Sequence, residues 1–296
     1  MFLFSCGSGD GTGEDKTGEG GSATEITDPD KELQPFMGAG GKIGYRLSAD
    51  TSKVVIPATY EEGLPFSEGL AGIQMNGKGG FINAKGEMIV PAEYEKLGIF
   101  MNGKAWVKKG LWGIIDASNK VIVEFLYDDW QEIFGSNYYK VRKGQLFGLL
   151  DKDGKTVIAP EYEQLWEHGT EMLVAINGNN QGLLDLTGKL VVPIEYAYIN
   201  EFQEGFAVVE KDGKKGFIDK TGAVVIPIRY ENAFPFTESL AKVQKGKLYG
   251  YIDAKGDMII NYMYEQAAPF AGGKAEVSKG GKFFKIDKTG KCVEGC

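Results

Sequence analysis

The sequence predicts an all-β fold of tandem three-stranded meanders, each about 34 residues long. Three observations carry that prediction. The stretch GFIDKTGAVVIPIRYE at 216–231 is preceded 34 residues earlier by GLLDLTGKLVVPIEYA and followed 34 later by GYIDAKGDMIINYMYE. Glycine supplies 43 of the 296 residues, about twice ordinary usage, and is spread as many tight turns would need. Nothing in the repeated unit carries a helical period.

Residues 1–40 read as a tether. They hold eight acids and two lysines, so most of the net charge of -8 sits there and the body is nearly neutral. Without a basic stripe to neutralise phosphates, nucleic acid is not an expected partner. Leu3-Phe4-Ser5-Cys6 resembles a bacterial lipobox, with Cys6 as the residue to be lipidated. Five uncharged residues precede Cys6, fewer than the basic and apolar regions of a signal peptide require. The Gly-, Ser- and acid-rich stretch that follows has too little apolar surface to offset its chain entropy. The expectation is a lipid-anchored protein of the bacterial cell envelope, periplasmic or surface-exposed, that meets the membrane only through its anchor. No apolar run is long enough for a spanning helix.

From residue 41 to 296 the chain keeps register. Glycines recur at Gly44, Gly80, Gly113, Gly148, Gly182, Gly216 and Gly250, and tyrosines at Tyr60, Tyr94, Tyr127, Tyr162, Tyr196, Tyr230 and Tyr264. Within a unit, Phe217-Ile218-Asp219 is a short strand and Asp219-Lys220-Thr221-Gly222 a type I turn. Asp suits the first place by accepting backbone N–H bonds, and Gly the fourth by taking positive φ. Ala223 to Ile226 returns as a second strand, ended by Pro227, which cannot donate to a ladder. A connection with Tyr230 and Phe236 leads to a third strand, Leu240 to Val243. The same turn places Asp116, Asp151, Asp185 and Asp253, with Gly154, Gly188 and Gly256, in a structural role. At the C-terminus Cys292 and Cys296 stand four apart, either as a small disulfide or as unpaired thiols.

This pattern resembles the bacterial WG-repeat (KWG-repeat) family, whose unit reads roughly G-[YF]-I-D-x-x-G-x-x-V-I-x-P-x-Y and then F-x-E-G-x-A-x-V. The resemblance covers residues 43–293, about seven units and a remnant, although the name-giving dipeptide survives only at Trp112-Gly113. Units that cannot bury their own aromatics must stack. A curved solenoid is the favoured arrangement, because blades of a closed seven-bladed propeller usually carry four strands in 40 or more residues.

No residue set points to catalysis. Asp151-Lys152-Asp153-Gly154 lacks the remaining ligands of a calcium loop. The repeated acids look equivalent, whereas a glycosidase needs two carboxylates in different environments. His168, the only histidine, stands in the register of Phe134 and Phe202. No cofactor or metal is expected. The departures from register are aromatic: Trp106, Trp130, Tyr139 and Trp166 join His168 in units two to four. Alternation along its strand turns Trp106 outward. These five residues are therefore the candidate patch for a protein or glycan partner. A spacer without a ligand, or a carbohydrate-active enzyme, are the alternative readings.

Overall fold

The computed structural model describes residues 26–135 and 137–296. Cys6 and most of the tether lie outside them. Eight antiparallel sheets follow one another along the chain, spanning residues 33–60, 62–94, 96–127, 129–162, 164–196, 198–230, 232–264 and 266–294. We number them first to eighth. The first has three strands and each of the others four, always in sequential meander order.

The sixth sheet shows the pattern: Tyr198–Ile199, Phe206–Lys211, Lys214–Asp219 and Val224–Tyr230. The expected three-stranded unit is thus corrected to a four-stranded one. Residues just after the repeated tyrosine, taken from sequence as a connection, pair with the following strand, as Ile199 does with Val209. A second correction concerns the tether boundary. Leu33–Met37 is a strand of the first sheet, with Leu33 buried, so the folded body starts before residue 41. Leu33, which is buried, and Phe36, which is half-buried, supply the apolar contact that holds this strand.

The turn reading holds at its key position. Gly222 has φ +86°, and its N–H donates to the Asp219 carbonyl at 3.0 Å. The recurrent glycine inside the strand that leads into each Asp turn has a different cause. The fourth strand shifts register as it crosses that glycine. A β-carbon on Gly216 would lie 2.7 Å from the Ile226 carbonyl oxygen and from the Ile228 Cα. Backbone, not a flexible side chain, occupies the space.

Among the described residues, seven apolar clusters join the eight sheets, each straddling two successive ones. Along Phe206–Lys211, Ala207 and Val209 pack toward the fifth sheet, and Val208 between them packs toward the seventh. Both faces of an inner sheet are therefore interior, and the architecture is an open repeat stack. No sheet closes into a barrel.

Carboxylates stitch the units together. Asp30 accepts the N–H groups of Glu68 and Gly69, Glu68 those of Asn102 and Gly103, Glu204 that of Ser239, and Glu238 that of Gly273. Glu68, Glu204 and Glu238 all sit at positive φ, between 51° and 53°. That conformation costs an L-residue of order 1 kcal/mol, and the bonds to the next turn offset it.

Candidate functional site

The structure divides the five candidate residues into two groups. Trp106, Trp130 and Tyr139 meet between the third and fourth sheets. The two indoles stack with centroids 4.7 Å apart and planes 8° from parallel, and Tyr139 meets both edge-on at 5.3 and 5.8 Å. Trp106 is 4% exposed and Tyr139 5%. Neither belongs to an outward patch, which corrects the expectation for both. Alternation does turn Trp106 away from Ala105 and Val107, but toward the next sheet, not toward water. At the same register position Val174 and Val208 are buried too, whereas Lys140 and Lys242 stand there half-buried, so the place is interior but not always apolar, and an aromatic fills it at Trp106. Its indole Nε1–H is buried without a hydrogen-bond partner.

Trp166 and His168 lie on the first strand of the fifth sheet, apart from that stack. Trp166 is 43% exposed and pairs across the ladder with Val174. His168 is buried, edge-on to Phe202 at 5.8 Å, with Nε2 lacking a partner. Burial pushes its pKa below the usual histidine value, against a smaller opposing pull from Glu201. Its imidazole is accordingly held toward the neutral form, with a ring nitrogen to satisfy.

Two hollows flank His168. One, of about 170 Å³, is lined by His168, Thr170, Glu201, Phe202 and Lys220. The other, about 730 Å³, opens between the fourth and fifth sheets and includes Phe134, Tyr138, Glu167 and Thr170. Phe134 and Tyr138 meet edge-on at 6.2 Å and are half-buried. Glu167 accepts the Phe134 N–H at 2.8 Å and holds that turn, with Phe134 itself at φ 51°. Phe66 and Phe100 are buried against the preceding sheet, but Phe134 in the same register is half-buried and borders the groove, while its neighbour Ile133 is buried in the cluster shared with the fifth sheet.

The turn acids have structural work. In Asp116, Asp151, Asp185, Asp219, Asp253 and Asp287, Oδ1 accepts the N–H groups two and four residues on, and Asn83 does the same through its amide oxygen. Hydroxyls of Thr187, Thr221 and Thr289 hold Asp185, Asp219 and Asp287 below the usual carboxylate range, helped by those backbone bonds. A second set of acids was not singled out from sequence. After five of the seven repeated tyrosines the next residue is an acid that caps the following hairpin: Glu61 accepts from Gly77, Glu95 from Gly110, Asp128 from Gly144, Glu163 from Gly178 and Glu265 from Gly280. Their recurrence after tyrosine was the available signal. Among the described residues no three His, Cys, Asp or Glu side chains converge as metal ligands would. Cys292 and Cys296 form a disulfide.

Fold and surface together define a stack of β-meander repeats with hollows at the sheet junctions. The WG containing repeat profile matches residues 50–78, 80–110, 112–146, 147–167, 182–214, 216–249 and 249–283, and the chain belongs to that family. No curated protein matches the sequence. Among solved structures it is similar to Hsv2p of Kluyveromyces lactis, at 12% identity and TM-score 0.31, covering 63% of this chain and 71% of that one. It is also similar to the dihydro-heme d1 dehydrogenase NirN, at 14% identity and TM-score 0.34, covering 79% of this chain and 65% of that one. Scores this low carry no information on function.

Proposed function

We propose that this chain is a non-catalytic binding protein of the bacterial cell envelope, lipid-anchored through Cys6, whose β-repeat body presents a protein- or glycan-binding surface. The observation that carries the binding role is the groove of about 730 Å³ between the fourth and fifth sheets. It lies where the repeat departs most from itself, and it exposes aromatic edges beside polar groups, the chemistry that suits either partner. The non-catalytic part is supported by the turn aspartates, whose Oδ1 atoms accept backbone N–H groups in equivalent turns. The disulfide suits an oxidising compartment.

The test of the groove is Tyr138→Ala, assayed for binding to purified envelope polysaccharide and envelope protein, with melting temperature measured alongside. Loss of binding at unchanged melting supports the reading. If wild type binds neither, or the variant binds equally, the body is a spacer. For the anchor, the protein expressed with a complete signal peptide should partition into detergent, and Cys6→Ala should release it. Wild-type protein confined to the cytosolic fraction would overturn the envelope assignment.

A further inference from the structure

The junction of the sixth and seventh sheets carries a reversal of charge. At two other junctions a glutamate near the end of one sheet's last strand pairs with a lysine of the next sheet. Glu93 meets Lys109 at 2.7 Å and Glu195 meets Lys211 at 3.0 Å. The equivalent residues here are Arg229 and Lys245, thirty-four beyond Glu195 and Lys211. Two cations therefore face a junction that elsewhere holds an ion pair. They line a hollow of about 530 Å³, together with Lys214, Gln244, Tyr262 and Glu231.

None of the three cations has an ion-pair partner within reach among the described residues. Arg229 donates one N–H to the Tyr230 hydroxyl at 3.2 Å, which leaves most of its five donors uncommitted. Glu231 is the one acid in the lining. It follows the repeated Tyr230 as the capping acids Glu163 and Glu265 follow theirs, yet Gly246 receives no such cap from it. The site thus keeps a surplus of positive charge on a protein of net charge -8.

We propose that this hollow binds an oxyanion, the carboxylate or phosphate of a small ligand, with Arg229 as the bidentate contact, Lys214 and Lys245 as point charges, and Tyr262 as a side wall. The planar guanidinium fork matches both groups. The site is separate from the groove at Tyr138 and does not depend on it.

The decisive variant is Arg229→Glu, which recreates the Glu–Lys pair of the other junctions and so preserves the fold. Inorganic phosphate and glucuronate are titrated calorimetrically into the full chain at low salt. Wild type is expected to bind at least one of them, and which one identifies the source of the oxyanion. Affinity should fall roughly tenfold or more in Arg229→Glu and weaken as salt rises, while Tyr138→Ala leaves it unchanged. Failure of wild type to bind either anion, or equal binding by Arg229→Glu, overturns the proposal.

Discussion

Replacing Gly222 by valine perturbs the stack at two points at once. The residue sits at φ +86°, where a β-branched side chain is strained by about 1–2 kcal/mol. Its new Cβ would also fall 2.5 Å from the Val191 carbonyl oxygen of the preceding sheet, an overpacking worth roughly 1–3 kcal/mol. The total, about 2–5 kcal/mol, corresponds to a drop of roughly 4–20 °C in melting temperature for a body of this size. Gly256 provides the internal comparison. It has φ +83° but meets only the Ile226 side chain, at 3.4 Å, so Gly256→Asn should lose about 1 kcal/mol or less, Asn tolerating that conformation. The chain already uses this solution at Asn119, with φ 64°. Lys220→Ala, exposed within the Gly222 turn, should be near neutral. Thermal unfolding of the three variants checks the ranking. Equal losses from Gly222→Val and Lys220→Ala would refute the turn geometry, and equal losses from Gly222→Val and Gly256→Asn would refute the contact with the preceding sheet.

Other consequences can be measured in the same way. Trp106→Ala removes a buried, stacked indole and should cost about 3–5 kcal/mol; an unchanged melting temperature would mean that Trp106 is a surface residue after all. Asp219 is held below its ordinary pKa chiefly by the Thr221 hydroxyl, so its stabilisation is complete above the unfolded carboxylate range and is lost as pH falls through the lowered folded value. Asp219→Asn keeps the accepting oxygen and should flatten that part of the acid limb in melting scans against pH. Cys296→Ser opens a cross-link between residues four apart, worth about 2 kcal/mol in chain entropy, and amide exchange should rise along Cys292–Glu294 but not in the first seven sheets.

Much of this was written legibly in the sequence because it recurs. Each turn Asp and Gly repeats at a nearly fixed interval, and one local mechanism explains every copy. The first strand of each four-stranded sheet was not legible because it is only two residues long in several of them, as at Glu62–Gly63 and Tyr198–Ile199. Such a segment has too few positions to show alternation. Trp106 was misread for a physical reason. Alternation separates two faces but does not say that either is wet, and an inner sheet of a stack has no wet face. The groove depends on Phe134, in register with the buried Phe66 and Phe100, staying half-buried at its edge, a change of burial that leaves the residue type unchanged. The reversal at Arg229 was visible as a sign change in register, but its partner across the junction emerges only once the sheets are stacked.

The open form of the stack can itself be traced to single positions. In every sheet after the first, an apolar residue two beyond the recurrent glycine's place packs toward the preceding sheet: Ile82, Ile115, Leu150, Leu184, Ile218, Ile252 and Ile286. The first sheet has Arg46 there, its guanidinium 5.5 Å from the Phe36 ring. At the other end, the positions that are Val208 and Phe217 in the sixth sheet are Glu276 and Lys285 in the eighth, paired directly across the ladder. Glu294 adds a 2.7 Å bond to Lys285. Burying these charges against another sheet would cost more than the apolar contact returns. Neither end therefore favours a ninth layer or closure onto the other, and polar outer faces are what a linear repeat array needs to stay soluble. Apolar contact is thus kept to the seven junctions among the described sheets, and the hollows proposed for binding lie at two of them.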